Sequence, residues 1–61
     1  MNVESRSAII RRLAQLYPQA SSDEVAELVH DAEQIVRDLA VGDIAFRTEQ
    51  LARARLEARH G

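Results

Sequence analysis

The sequence predicts an all-α fold, one three-helix bundle over residues 1–61, and three observations carry that prediction. From Ser21 to Leu39 the apolar residues Val25, Leu28, Val29, Ala32, Ile35, Val36 and Leu39 recur at steps of 3, 1, 3, 3, 1 and 3. That is helical spacing and not strand alternation. At about 100° per residue it draws a stripe roughly 120° wide, which another element must cover. Pro18 and Gly42 punctuate the chain on either side of this stretch. The two flanks carry helically spaced apolar residues of their own.

The first helix is expected over residues 3–17. Asn2 or Ser5 can cap it, and Pro18 ends it, because the residue before a proline avoids the α region. Ile9, Ile10, Leu13, Leu16 and Tyr17 form its apolar face. The link Pro18-Gln19-Ala20 is short, so the second helix should run antiparallel to the first.

The second helix is expected over residues 22–40. Ser21-Ser22-Asp23-Glu24 reads as a capping box, with Ser21 accepting from the Glu24 amide and Glu24 reaching back to the Ser21 amide. Ala20 and Val25 sit where a weak hydrophobic staple packs. Asp23 and Glu24 suit the positive end of the helix dipole.

The third helix is expected over residues 43–59. Gly42 suits the preceding helix end and Asp43 the new cap. Ile44, Thr48, Leu51, Ala52 and Ala58 share a face by helical angle, joined by Val41 if the helix starts early. Arg55 projects on the same side, where its stem can lie on apolar surface. Leu56 sits at the edge of the stripe. Phe46 points about 160° from the mean direction of that face, away from the bundle's own interior. The expected core is Ile9, Leu13, Leu16, Tyr17, Val25, Leu28, Val29, Ala32, Ile35, Val36, Leu39, Ile44 and Leu51. Truncating Leu28 or Ile35 to Ala is then expected to cost about 2–5 kcal/mol.

Size and composition narrow what such a domain does. A chain of this length buries only about 60% of the surface its unfolded form exposes. Disulfides, metals, oligomerisation or very regular packing make up the difference in small domains. With no cysteine in the chain, disulfides and thiolate metal sites are excluded. No apolar run approaches the 18 or more residues of a membrane span, and no leader pattern is visible, so the expected compartment is the cytoplasm.

Net charge is −2, unevenly spread. Residues 1–17 carry Arg6, Arg11 and Arg12 against Glu4. Residues 18–42 carry Asp23, Glu24, Glu27, Asp31, Glu33 and Asp38 against Arg37. Residues 43–61 carry Arg47, Arg53, Arg55 and Arg59 against Asp43, Glu49 and Glu57. An acidic central helix between basic neighbours favours their mutual packing and argues against a general polyanion binder.

The residues that carry chemistry elsewhere have plainer readings here. Glu27-x-x-His30-x-x-Glu33 holds the Glu-x-x-His spacing of di-iron bundles, whose ligands project inward. These three are expected on the outer, solvated face with Asp31, Gln34 and Asp38. His60 falls in a tail expected to fray. The serines lie at caps or near the N-terminus, without a base and an orienting group beside them. No catalytic, cofactor-binding or metal-binding residue is assigned. A helix, a turn with Gly42 and an Arg-bearing third helix imitate a helix-turn-helix, with Arg47, Arg53 and Arg59 available to phosphates. The acidic balance argues against that alternative.

The run from Leu13 to Leu56 resembles a family of small actinobacterial domains described as three-helix-bundle dimerisation domains. The resemblance rests on a leucine-containing first helix ending near Pro18, the Ser21-x-x-Glu24-Val25 start, the Val41-x-Asp43 turn and an Arg-rich helix ending in Arg55-Leu56. Members occur alone, and similar segments precede the catalytic domain of some arsenate reductases of the low-molecular-weight phosphatase type. Ala45 and Phe46 depart from the family pattern. The resemblance implies homodimerisation and carries over no catalytic residue. The expected partner is a second copy or another helical protein, with no membrane. The interface candidates are Phe46, Ile10, Leu56, Arg47 and Arg53.

Overall fold

The computed structural model describes residues 5–39 and 42–61, which form three helices that pack on one another: α1 (Arg6–Leu16), α2 (Ser22–Leu39) and α3 (Ile44–His60). No strand occurs among the described residues. The possible Asn2 cap, residues 3 and 4 of the expected first helix, residue 40 and Val41 lie outside those residues.

Each start follows from a short polar side chain. Ser5 is extended (φ −75°, ψ 155°), and its hydroxyl accepts from the Ala8 amide at 3.2 Å. Among the described residues the first helix therefore begins at Arg6. Ser21 Oγ accepts from the Glu24 amide at 3.1 Å, the forward half of the expected box. The return half is replaced, because the Glu24 carboxylate reaches Arg59 and His60 instead. Asp43 accepts from the Phe46 amide at 3.1 Å and starts α3.

Gly42 has φ +64°. That is the left-handed region, which costs a side-chain-bearing residue about 1–2 kcal/mol. A Cβ there would also stand 3.2 Å from the Arg47 Nε, the movable end of a long side chain. Gly42→Ala is expected to lower the urea midpoint by an amount equal to about 1 kcal/mol with an unchanged slope, and Gly42→Asn by less. An unchanged midpoint in the Ala variant would remove the strain argument.

The interior gathers Ile9, Leu13 and Tyr17 of the first segment with Ala20. Val25, Leu28, Val29, Ala32 and Val36 come from α2, and Thr48, Ala52 and Leu56 from α3. Leu13, Val25, Val29, Ala32, Ala52 and Leu56 are completely enclosed. Ile10, Ala14, Ala45 and Leu51 pack half-buried against this cluster.

Four expected core residues are on the surface: Leu16 (51% exposed), Ile35 (38%), Leu39 (67%) and Ile44 (38%). The reason for Ile35 and Leu39 is helix length. The first helix has 11 residues and the second 18. With a rise of about 1.5 Å per residue, α2 outruns α1 by roughly 10 Å. The start of α1 is tied to Glu33 through Arg6 at 2.7 Å, so no described residue of α1 lies over the end of α2. Leu16 lies in the last turn of α1, about 60° from the direction set by Ile9, Leu13 and Tyr17. Ile44 is the first residue of its helix.

The third helix is turned about its axis relative to the sequence reading. Ala45, Thr48, Ala52 and Leu56 face inward. By helical angle, their mean direction lies roughly 70° from the expected one. Leu51 is therefore half-buried, Ala58 is exposed, and Leu56 moves from the edge to the interior. Small Ala45, Thr48 and Ala52 let α3 approach α2, its main packing partner, while Leu56 fills the space beyond them.

Candidate functional site

Among the described residues, clusters of polar side chains tie the helices together from the outside. Arg12 grips Glu49 with two bonds of 2.6 Å, joining α1 to α3. Arg6 and Arg37 both hold Glu33, at 2.7 and 2.9 Å. Arg59 and His60 both reach Glu24, at 3.0 and 3.1 Å. The Tyr17 hydroxyl donates to the Glu57 carboxylate at 2.6 Å. Two expectations change here. Glu33 is not on the solvated face, because its carboxylate turns toward the start of α1. His60 is not in a fraying tail, because α3 continues through it and Gly61 caps onto the Glu57 carbonyl. Glu27 and His30 are exposed, as the spacing predicts.

These pairs shift the acids they contain. Hydrogen bonds from Arg37 and then Arg6 hold the Glu33 carboxyl below its ordinary value, against the opposing effect of burial. Arg59 and His60 do the same for Glu24, and Arg12 for Glu49. Donation to Glu57 raises the Tyr17 phenol, helped by burial and opposed by Arg53. A carboxyl more acidic in the folded chain stabilises it above the unfolded value of 4.5 and loses that contribution as pH falls through the folded value. The melting temperature is therefore expected to stay level from neutral pH to about 5 and to fall below about 4.5. Glu33→Gln should flatten part of that acid limb. An identical limb in the variant would show that this triad does not drive it. Pairs this exposed contribute little each, so the change in slope should be small.

Three of the exposed large apolar residues, Ile35, Leu39 and Phe46, meet at one place. Ile35 and Leu39 at the end of α2 face Phe46 and Leu51 at the start of α3. With Val36, Arg47 and Gln50 they line an open groove of about 430 Å³. Phe46 is 59% exposed and Leu39 67%. Scattered apolar side chains on a surface are ordinary, but four around one groove form a patch that water solvates poorly.

The interface candidates separate on the structure. Phe46 and Arg47 line the groove. Ile10 is half-buried against the protomer's own core. Leu56 is 0% exposed and cannot offer surface to a partner, because the turned α3 encloses it. Arg53 lies with Gln50, Ala54 and Glu57 on another stretch of α3, beside Tyr17. Sequence spacing hides Ile35 and Leu39 as surface residues, because it fits an interior stripe. The signal that finds them is the late start of α1 at the Ser5 cap.

The arrangement defines a class: a small helical bundle, tied by ion pairs, with one open apolar groove at the α2–α3 end. No protein-family model, curated protein or solved structure matches the chain. No helix among the described residues is long and apolar enough to cross a membrane.

Proposed function

We propose that this chain is a non-catalytic dimerisation module in which two copies pair through the groove between α2 and α3. The observation that carries the reading is the exposure of Ile35, Leu39 and Phe46 around one opening. A second copy is the occupant the surface itself favours. One wall of the groove belongs to the acidic helix, which carries the exposed Asp31 and Asp38, and the other bears Arg47. A two-fold axis lays the apolar α2 wall of each copy, Ile35, Val36 and Leu39, over the partner's Phe46 and Leu51, so one surface complements itself. Resemblance to small dimerisation domains supports the same reading. The interior is small, and apolar burial between copies adds stability that one copy lacks.

Light scattering after size exclusion tests this over a range of concentrations. The expected mass rises toward twice 6.8 kDa. A constant monomer mass at millimolar protein would overturn the reading. Nucleic-acid binding has no comparable support. Arg59 is engaged by Glu24, while Arg47 and Arg53 stand at different places on α3. No binding to a defined duplex beyond the non-specific range is expected at physiological salt.

A further inference from the structure

The groove carries a charge that no described residue answers. Among the described residues that line it, Arg47 is a cation and none is a carboxylate. Nor does Arg47 make a hydrogen bond or ion pair with any described residue. Arg6, Arg12, Arg37 and Arg59 are all paired, so this arginine stands apart from them. Its guanidinium is nonetheless seated. It lies back over Gly42, where a Cβ would stand 3.2 Å from Nε, 3.7 Å from Nη2 and 3.9 Å from Cζ. The absent side chain leaves that space to the arginine, at the turn before α3. Gln50 lines the groove about one helical turn further on. Its amide also has no partner among the described residues.

A two-fold axis brings the same surface to both sides, so what one lining lacks the second copy's lining lacks as well. Pairing sets each Arg47 against the apolar α2 wall of the second copy. There the cation loses water and meets no acceptor, which opposes association. We propose that pairing through the groove, on the reading given above, takes up a small oxyanion of the phosphate class at Arg47. The guanidinium fork donates two parallel N–H bonds to two oxygens of the anion. The Gln50 amide supplies a further donor. Such bonds strengthen where water is excluded, so the dimer holds the anion more tightly than the monomer does. By linkage the anion tightens the dimer to the same extent.

The test is sedimentation equilibrium of the intact chain at fixed pH and ionic strength, with inorganic phosphate replacing chloride over the millimolar range. The dimer dissociation constant is expected to fall about tenfold and then level off. Acetate, with a single charge, should have a smaller effect. Without phosphate, Arg47→Gln should pair more tightly than the parent, because the unanswered charge is gone. Phosphate should no longer tighten that variant. Arg47→Lys should keep part of the response, since it holds the charge and lacks the two-oxygen fork. Circular dichroism establishes that each variant is folded. Three results would each overturn the proposal. One is a dissociation constant unchanged by phosphate. Another is an equal response in Arg47→Gln, which marks general salting-out. The third is an Arg47→Gln dimer looser than the parent without phosphate, which places a carboxylate of the second copy at Arg47. A monomer mass at every phosphate level would remove the pairing itself, and the anion site with it.

Discussion

Leu56→Ala is expected to unfold a large share of the chain at 37 °C. Leu56 is 0% exposed and sits in the contiguous core with Leu13 and Tyr17. Truncating a buried leucine costs about 2–5 kcal/mol, from lost transfer energy and the cavity left behind. At about 0.05–0.15 kcal/mol per residue, a domain of this length has only about 3–9 kcal/mol in total. Leu51→Ala and Ile35→Ala should cost much less, since Leu51 is half-buried and Ile35 is 38% exposed. Thermal melts followed by circular dichroism, at concentrations low enough to keep the chain monomeric, rank the three. If Leu51→Ala melts below Leu56→Ala, the orientation of α3 described above is wrong.

Phe46→Ala should weaken self-association by about 30- to 1000-fold while leaving helicity intact. Burying a whole phenylalanine side chain contributes about 1.5–3 kcal/mol. In one copy 59% of the residue is still exposed. About 1–2 kcal/mol therefore remains to be gained by pairing. A two-fold axis counts this twice, giving about 2–4 kcal/mol, and each step of about 1.4 kcal/mol is a factor of ten. The helix start survives the change because Asp43 caps the Phe46 backbone amide and not its ring. Leu39→Ala should act in the same direction, and Ile10→Ala should act on stability instead. Sedimentation equilibrium of wild type and variants gives the dissociation constants. A Phe46→Ala dimer as tight as the parent would move the interface elsewhere.

The acid–base complementarity between helices has a different use from the one its distribution suggests. An acidic α2 between basic neighbours can set the register of two subunits. Much of it is already engaged inside one copy, through Arg6 with Glu33 and Arg59 with Glu24. These pairs place α1 and α3 along α2. The groove retains Arg47 for contacts between copies.

By itself the sequence determined three helices, their caps at Ser21 and Asp43, the inward stripe of α2 and the outward direction of Phe46. All of these follow from local chemistry: spacing along one helix, a hydroxyl or carboxylate beside free amides, a proline, and a glycine where φ is positive. Two things were decided only by tertiary structure. The rotation of α3 was one, because its apolar residues Ile44, Ala45, Phe46, Leu51, Ala52 and Leu56 are spread around the helix and specify no single face. Packing chose the side where small residues admit α2 and Leu56 fills the interior. The groove was the other. Ile35 and Leu39 continue the buried stripe without a break, and among the described residues α1 is too short to cover them. Spacing says which residues share a face; the length and placement of the neighbouring helix decide whether that face meets protein or water.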